Sequence, residues 1–157
     1  MEHDEKQIRI EWGSGPKPRG VMVINLKHFF PATQKDITKV HKAVQEMYWD
    51  RGWDVEPIWP QVREWIREEI PLCEVEAKKW AKEYMDARQD IADTKQRIRS
   101  GKEPNGIPIP DTKINALNFY VTETQKNAAG YKQNYEAMCR RKKRLEMNLR
   151  FIANWHE

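Results

Sequence analysis

The amino-acid sequence predicts an α+β fold that is mostly α: an N-terminal β-hairpin, one packed helix, then a long antiparallel helical hairpin of coiled-coil character. Three patterns carry this expectation. Residues 111–157 hold a seven-residue repeat, with Ile114, Val121, Ala128, Tyr135, Lys142 and Leu149 at one seam position. Leu117, Thr124, Tyr131, Met138, Leu145 and Ile152 take the other. Because 3.5 residues is close to one helical turn, such spacing makes a continuous stripe on one side of a helix. Upstream lies a second stripe of the same period, Ile70, Ala77, Tyr84, Ile91 and Ile98 with Ile66, Cys73, Trp80, Ala87 and Thr94. The third pattern is strand-like alternation near the N terminus.

Residues 7–27 read as the β-hairpin. Ile8, Ile10 and Trp12 alternate with Arg9 and Glu11, as a half-buried strand does. Val21, Met22, Val23, Ile24 and Leu26 form a second strand, more fully apolar and so expected to be more fully covered, and Gly13–Gly20 joins the two through Pro16 and Pro18. The prolines remove donors and stiffen this loop, so it is expected to project as an arm rather than close as a two-residue turn. Residues 33–51 read as a helix with Thr33 as N-cap, Asp36 favourable to the dipole, and Ile37, Val40, Val44, Met47 and Tyr48 as its buried stripe. Gly52 ends it, and residues 53–59, with Trp53 and Trp59, connect onward.

A helix over 60–99 begins with Pro60 in its first turn. Pro71 blocks the bond to residue 67, yet the heptad phase continues through it, so a kink, or two helices nearly in line, is expected there with a common buried face. Ser100-Gly101 ends this rod, residues 102–110 form a rigid Gly/Pro-rich connector, and Asp111 or Thr112 caps a final helix over 111–157. Pairing Ile98 with Leu117 sets the register. It places Ile91 by Thr124, Ala87 by Ala128, Tyr84 by Tyr131, Trp80 by Tyr135, Ala77 by Met138 and Ile70 by Leu145. At about 1.5 Å per residue the arm would be roughly 60 Å long. A dimer or a binding partner is expected to cover part of so exposed a rod.

With 157 residues, 39% hydrophobic and 33% charged, the chain reads as a single domain over 1–157 built from half-exposed helices rather than a compact α/β enzyme. Seven tryptophans, four of them between Trp49 and Trp65, argue against disorder. They read first as core and second as a flat platform for a stacked ligand. No basic leader with an apolar stretch opens the chain, and no apolar run approaches a membrane span, so a cytoplasmic protein with no membrane partner is expected. Cys73 and Cys139 are not in a CxxC pair and are expected as reduced thiols.

The net charge of +4 lies in residues 100–157, which hold ten Lys/Arg against six Asp/Glu; the rest of the chain is balanced. Arg140, Arg141, Lys142, Lys143, Arg144 and Arg150 crowd together, opposed locally by Glu146. Long cationic side chains neutralise phosphates and release counterions, so this string is the candidate contact for a nucleic acid or an acidic protein surface. Five consecutive helical residues point all round a helix, however, and Lys142 enters the seam; a solvated helix surface is the plainer reading. Lys17 and Arg19 in the projecting loop are a second candidate contact. The loop lacks the Gly-Lys-Ser/Thr ending and following helix of a phosphate cradle.

No catalytic residue is assigned. His3, His28, His41 and His156 stand at no metal-ligand spacing, so neither a metal nor a cofactor is expected. The carboxylates of 64–93 interleave with Lys and Arg as surface pairs, and no nucleophile–base signature appears. The heptad is generic and the basic run short, and neither points to a family. The functional expectation is non-enzymatic binding to a nucleoprotein or a nucleic acid, with Arg140, Arg141, Lys143, Arg144, Arg150, Lys17 and Arg19 as contacts. The alternative is a protein-binding inhibitor or adaptor, of the kind that phages and mobile elements use to block a host nuclease complex; such proteins anchor interfaces with Trp and Arg. A structural coiled-coil oligomer is the third reading.

Overall fold

The structure, a computed structural model, describes residues 2–52 and 55–156; Trp53 and Glu157 lie outside the described residues. The expected architecture is present: a two-stranded antiparallel sheet, a packed helix, and two long helices packed against each other. Strands β1 (Gln7–Trp12) and β2 (Gly20–Asn25) pair with Ile8 opposite Ile24 and Ile10 opposite Met22. The alternation works as read: Ile8 and Ile10 are buried while Arg9 is exposed. The second strand departs from expectation: Val21 and Val23 are exposed, because only one face of the two-stranded sheet packs on the core. It ends at Asn25, and Leu26–Phe29 form a short helix, α1, whose Asn25 side chain accepts from the His28 N–H. An Asn side chain that satisfies a free helix donor ends a strand locally, and this outweighs the apolar run.

Helix α2 (Gln34–Arg51) begins and ends where predicted. Thr33 Oγ1 accepts from the Asp36 N–H at 3.1 Å, and Gly52 follows with φ of 76°. Ile37, Val40, Val44 and Met47 are its buried face. Helix α3 (Ile58–Ser100) starts two residues before Pro60 and runs through Pro71 as one helix. Helix α4 (Asp111–Phe151) is shorter than expected. Its cap was predicted at Asp111 or Thr112, but the position falls on Pro110, whose carbonyl accepts from the Lys113 and Ile114 N–H groups, so Asp111 is the first helical residue and not the cap. At the far end the chain leaves the helix after Phe151 and folds back, so the prediction of helix through residue 157 fails over 152–156. Ile152 is fully buried and Trp155 reaches the ring of His41, a tertiary reward that ends the helix where the heptad alone would continue it.

The chain divides into two compact units, residues 1–73 with 140–157, and residues 74–139. The first contains the apolar core: Ile8, Ile10, Leu26, Ile37, Val44, Trp59, Val62, Ile66, Cys73, Leu145 and Ile152 among others, drawn from every element. Asn148 on α4 is buried there because its amide is matched on both sides: it accepts from Ala32 N at 2.8 Å and donates to Ala32 O at 2.9 Å. The second unit is the helical hairpin. Its seam buries Ala87, Thr94, Val121, Thr124 and Ala128, all at predicted heptad positions. Trp80, however, stacks on Tyr131, with ring centroids 5.8 Å apart, and not on Tyr135 as paired above; the indole reaches diagonally across the seam. The connector is folded rather than merely stiff. Gly101 (φ 67°) closes α3 by donating to Arg97 O, Ile109 is buried, and Glu103 accepts from both Arg97 and Lys113 at 2.8 Å. Those two cations hold the Glu103 carboxyl below the usual carboxylate range, the Lys113 hydrogen bond contributing most.

Candidate nucleic-acid interface

The basic string divides into two faces once α4 is folded. Arg141 turns inward: its guanidinium donates to Phe30 O at 3.2 Å and to Glu69 Oε1 at 3.4 Å, and it is only 22% exposed. Lys142 is half-buried. Arg140, Lys143, Arg144 and Arg150 are exposed, and none makes an ion pair among the described residues. With exposed Met147 they stand at i, i+3, i+4, i+7 and i+10, which is one side of a helix over about 15 Å. The expectation that the string points all round the helix therefore holds for five consecutive residues but not for the exposed ones. The sequence could not separate Arg141 from its neighbours, because its partners Phe30 and Glu69 are supplied by distant segments.

Lys17 and Arg19 fall elsewhere. Both are exposed in the loop joining β1 and β2, and no hydrogen bond or ion pair among the described residues connects them to the basic face of α4. The loop is an arm only at its tip. At its base Gly13 N donates to Asp50 Oδ2 on α2 at 2.7 Å, and Arg19 N donates to Trp12 O at 2.8 Å. Gly20 lies directly under the Trp12 indole, where a Cβ would come within 2.2 Å of the ring, so this glycine sets the position of Trp12. Arg19 thereby lines an open cleft of about 850 Å³ with Trp12, Lys42, Gln45, Glu46, Trp49 and Asp50.

Two groups escaped the sequence reading. Trp49 is 89% exposed, while Trp59 and Trp65 are buried, so the run of tryptophans is not one core cluster. His3 stacks on Trp65 at 5.0 Å and places Nδ1 3.2 Å from Glu68 and Nε2 2.5 Å from Glu69. One ligand atom from each of His3, Asp4 and Glu69 lies within 4.8 Å of the others, a spacing that a cation site requires. Asp4, however, accepts from Lys27 at 2.9 Å and Glu69 from Arg141, so each carboxylate already faces a cation. The Lys27 hydrogen bond holds the Asp4 carboxyl below its ordinary value. This arrangement is a charge network that fixes the start of the chain against α3. Residues 65 positions apart leave no spacing signal by which a sequence could show it.

No helix among the described residues is long and apolar enough to cross a membrane. No family model matches the chain, and neither curated proteins nor solved structures show significant similarity to it.

Proposed function

We propose that this is a non-enzymatic binding protein that engages a nucleic acid or a nucleoprotein through the outer face of α4, acting in the cytoplasm. One observation carries the reading: Arg140, Lys143, Arg144 and Arg150 share one helix side and have no ion-pair partner among the described residues. Cations spaced along one rigid element match a repeating phosphate backbone, and each phosphate neutralised releases counterions. Arg141, predicted as a contact, serves this face indirectly by fixing α4 against Glu69 and Phe30.

Replacing Arg140, Lys143, Arg144 and Arg150 together with Gln tests the proposal. Binding of duplex and single-stranded oligonucleotides is followed by fluorescence anisotropy across a salt series. The parent is expected to bind at low salt. The variant should bind more weakly, with the log–log salt dependence flattened by about three to four units if all four side chains contact phosphates. An unchanged slope in the variant would mark the face as merely solvated. No binding by the parent at low salt would transfer support to the protein-partner reading. That second reading has its own support in the 74–139 unit, where Val75, Met85 and Phe119 are well exposed apolar side chains of the kind a partner covers.

A further inference from the structure

The cleft between the β-hairpin and α2 has a composition that the basic face of α4 does not explain. Lys42, Gln45, Glu46 and Trp49 stand at i, i+3, i+4 and i+7 on α2, on the side opposite its buried residues. Trp12 and Arg19 close the other wall, held there by Gly20 beneath the indole and by the Gly13–Asp50 hydrogen bond. Trp49 leaves nearly its whole ring in solvent, an unfavourable place for the largest apolar side chain unless something flat covers it. Arg19 and Lys42 carry no ion pair among the described residues. Of the two carboxylates, Asp50 already accepts from Gly13 N, and Glu46 is an acceptor suited to an exocyclic amine.

We infer that this cleft binds single-stranded nucleic acid, with an unpaired base stacked on the Trp49 indole and flanking phosphates on Arg19 and Lys42. The inference rests on the nucleic-acid reading above and names its substrate class. The exposed indole favours this occupant: Glu46 and Asp50 balance the charge of Arg19 and Lys42, but a flat apolar face that shares a cleft with two cations lacking ion pairs among the described residues suits a base flanked by phosphates, whereas a duplex keeps its base faces stacked inside.

The test compares the full chain with Trp49→Ala and Trp49→Phe. Anisotropy is measured with labelled single strands of about twelve nucleotides, DNA and RNA, and with a duplex of the same sequence. Trp49→Ala is expected to weaken single-strand binding about fivefold to a hundredfold and leave duplex binding unchanged, with Trp49→Phe recovering most of the loss. Lys42→Gln should weaken single-strand binding and flatten its salt dependence by about one unit. Single-strand binding by Trp49→Ala equal to the parent's overturns the inference, as does an equal loss on duplex and single strand. If the α4 variant loses single-strand binding and Trp49→Ala keeps it, the helix reading stands and this one falls. If the parent binds neither, both fall. Should Trp49→Ala release a co-purifying protein while leaving nucleic-acid binding intact, the indole is a protein contact and the inference is wrong.

Discussion

Adjacent residues of the same charge do different work in this chain. Arg140 and Arg144 are exposed, whereas Arg141 between them donates to buried Glu69 and to Phe30 O. A buried carboxylate needs a cation and hydrogen bonds to offset its lost hydration, and Arg141 with His3 supplies them. His41 shows the same dependence on neighbours with the opposite electrostatic outcome. Trp59 Nε1 donates to His41 Nδ1 at 3.1 Å and Trp155 stacks on the ring at 4.2 Å, so the site suits a neutral imidazole, and burial pushes its pKa below the ordinary value near 6.5. A histidine whose folded pKa is depressed contributes stability that is present above the unfolded pKa and lost as pH falls toward and through the folded one. The parent should therefore lose more stability between pH 7.5 and 5.5 (pH values bracketing about 6.5) than His41→Gln, which keeps an acceptor for Trp59 but does not titrate. Urea midpoints at the two pH values check this, and parallel losses in the two proteins would count against it.

At the scale of elements, the heptad phase runs on through a residue that removes a helix hydrogen bond. Pro71 sits inside α3, and the helix continues because Ile66 before it and Cys73 after it are buried in the same core. Packing on both sides outweighs one missing backbone donor. In the 74–139 unit the seam positions Ala87 and Ala128 are both buried, as expected of a layer where small residues let helices approach closely. Ala128→Trp should strain that layer by about 1–3 kcal/mol, visible as a lower thermal midpoint with helicity retained. A variant that melts like the parent would show the layer to be loosely packed. The connector was legible only in outline: its prolines and glycines mark a turn, but the Glu103 clamp on Arg97 and Lys113 joins charges that sequence spacing gives no reason to pair.

For the whole molecule, the uneven distribution of buried apolar surface is the controlling fact. The 1–73 with 140–157 unit buries large side chains from the sheet and all four helices, while the 74–139 unit buries mainly Ala, Thr, Val121 and Ile109. Local stability follows buried apolar area, so amide hydrogen exchange should be slower around Val62–Ile66 and Leu145–Asn148 than in the middle of the 74–139 unit. Peptide-resolved exchange by mass spectrometry measures this directly. Equal protection in both regions would mean that the hairpin draws stability from something other than its seam.

The sequence by itself determined the order and kind of the main elements, because strand alternation, helix caps and a seven-residue repeat are local signals read over a few neighbouring residues. Thr33 and Gly52 bound α2 as expected, and the buried seam follows the heptad. Only the tertiary structure decided where α4 stops, which cations of the string face solvent, and that Trp49 is exposed while Trp59 and Trp65 are buried. Each of these depends on a partner far away in the chain: His41 for Trp155, Glu69 and Phe30 for Arg141, His3 for Trp65. Local patterns set conformation residue by residue, but the cost of burying a charge or exposing an indole is settled by whatever the fold brings next to it.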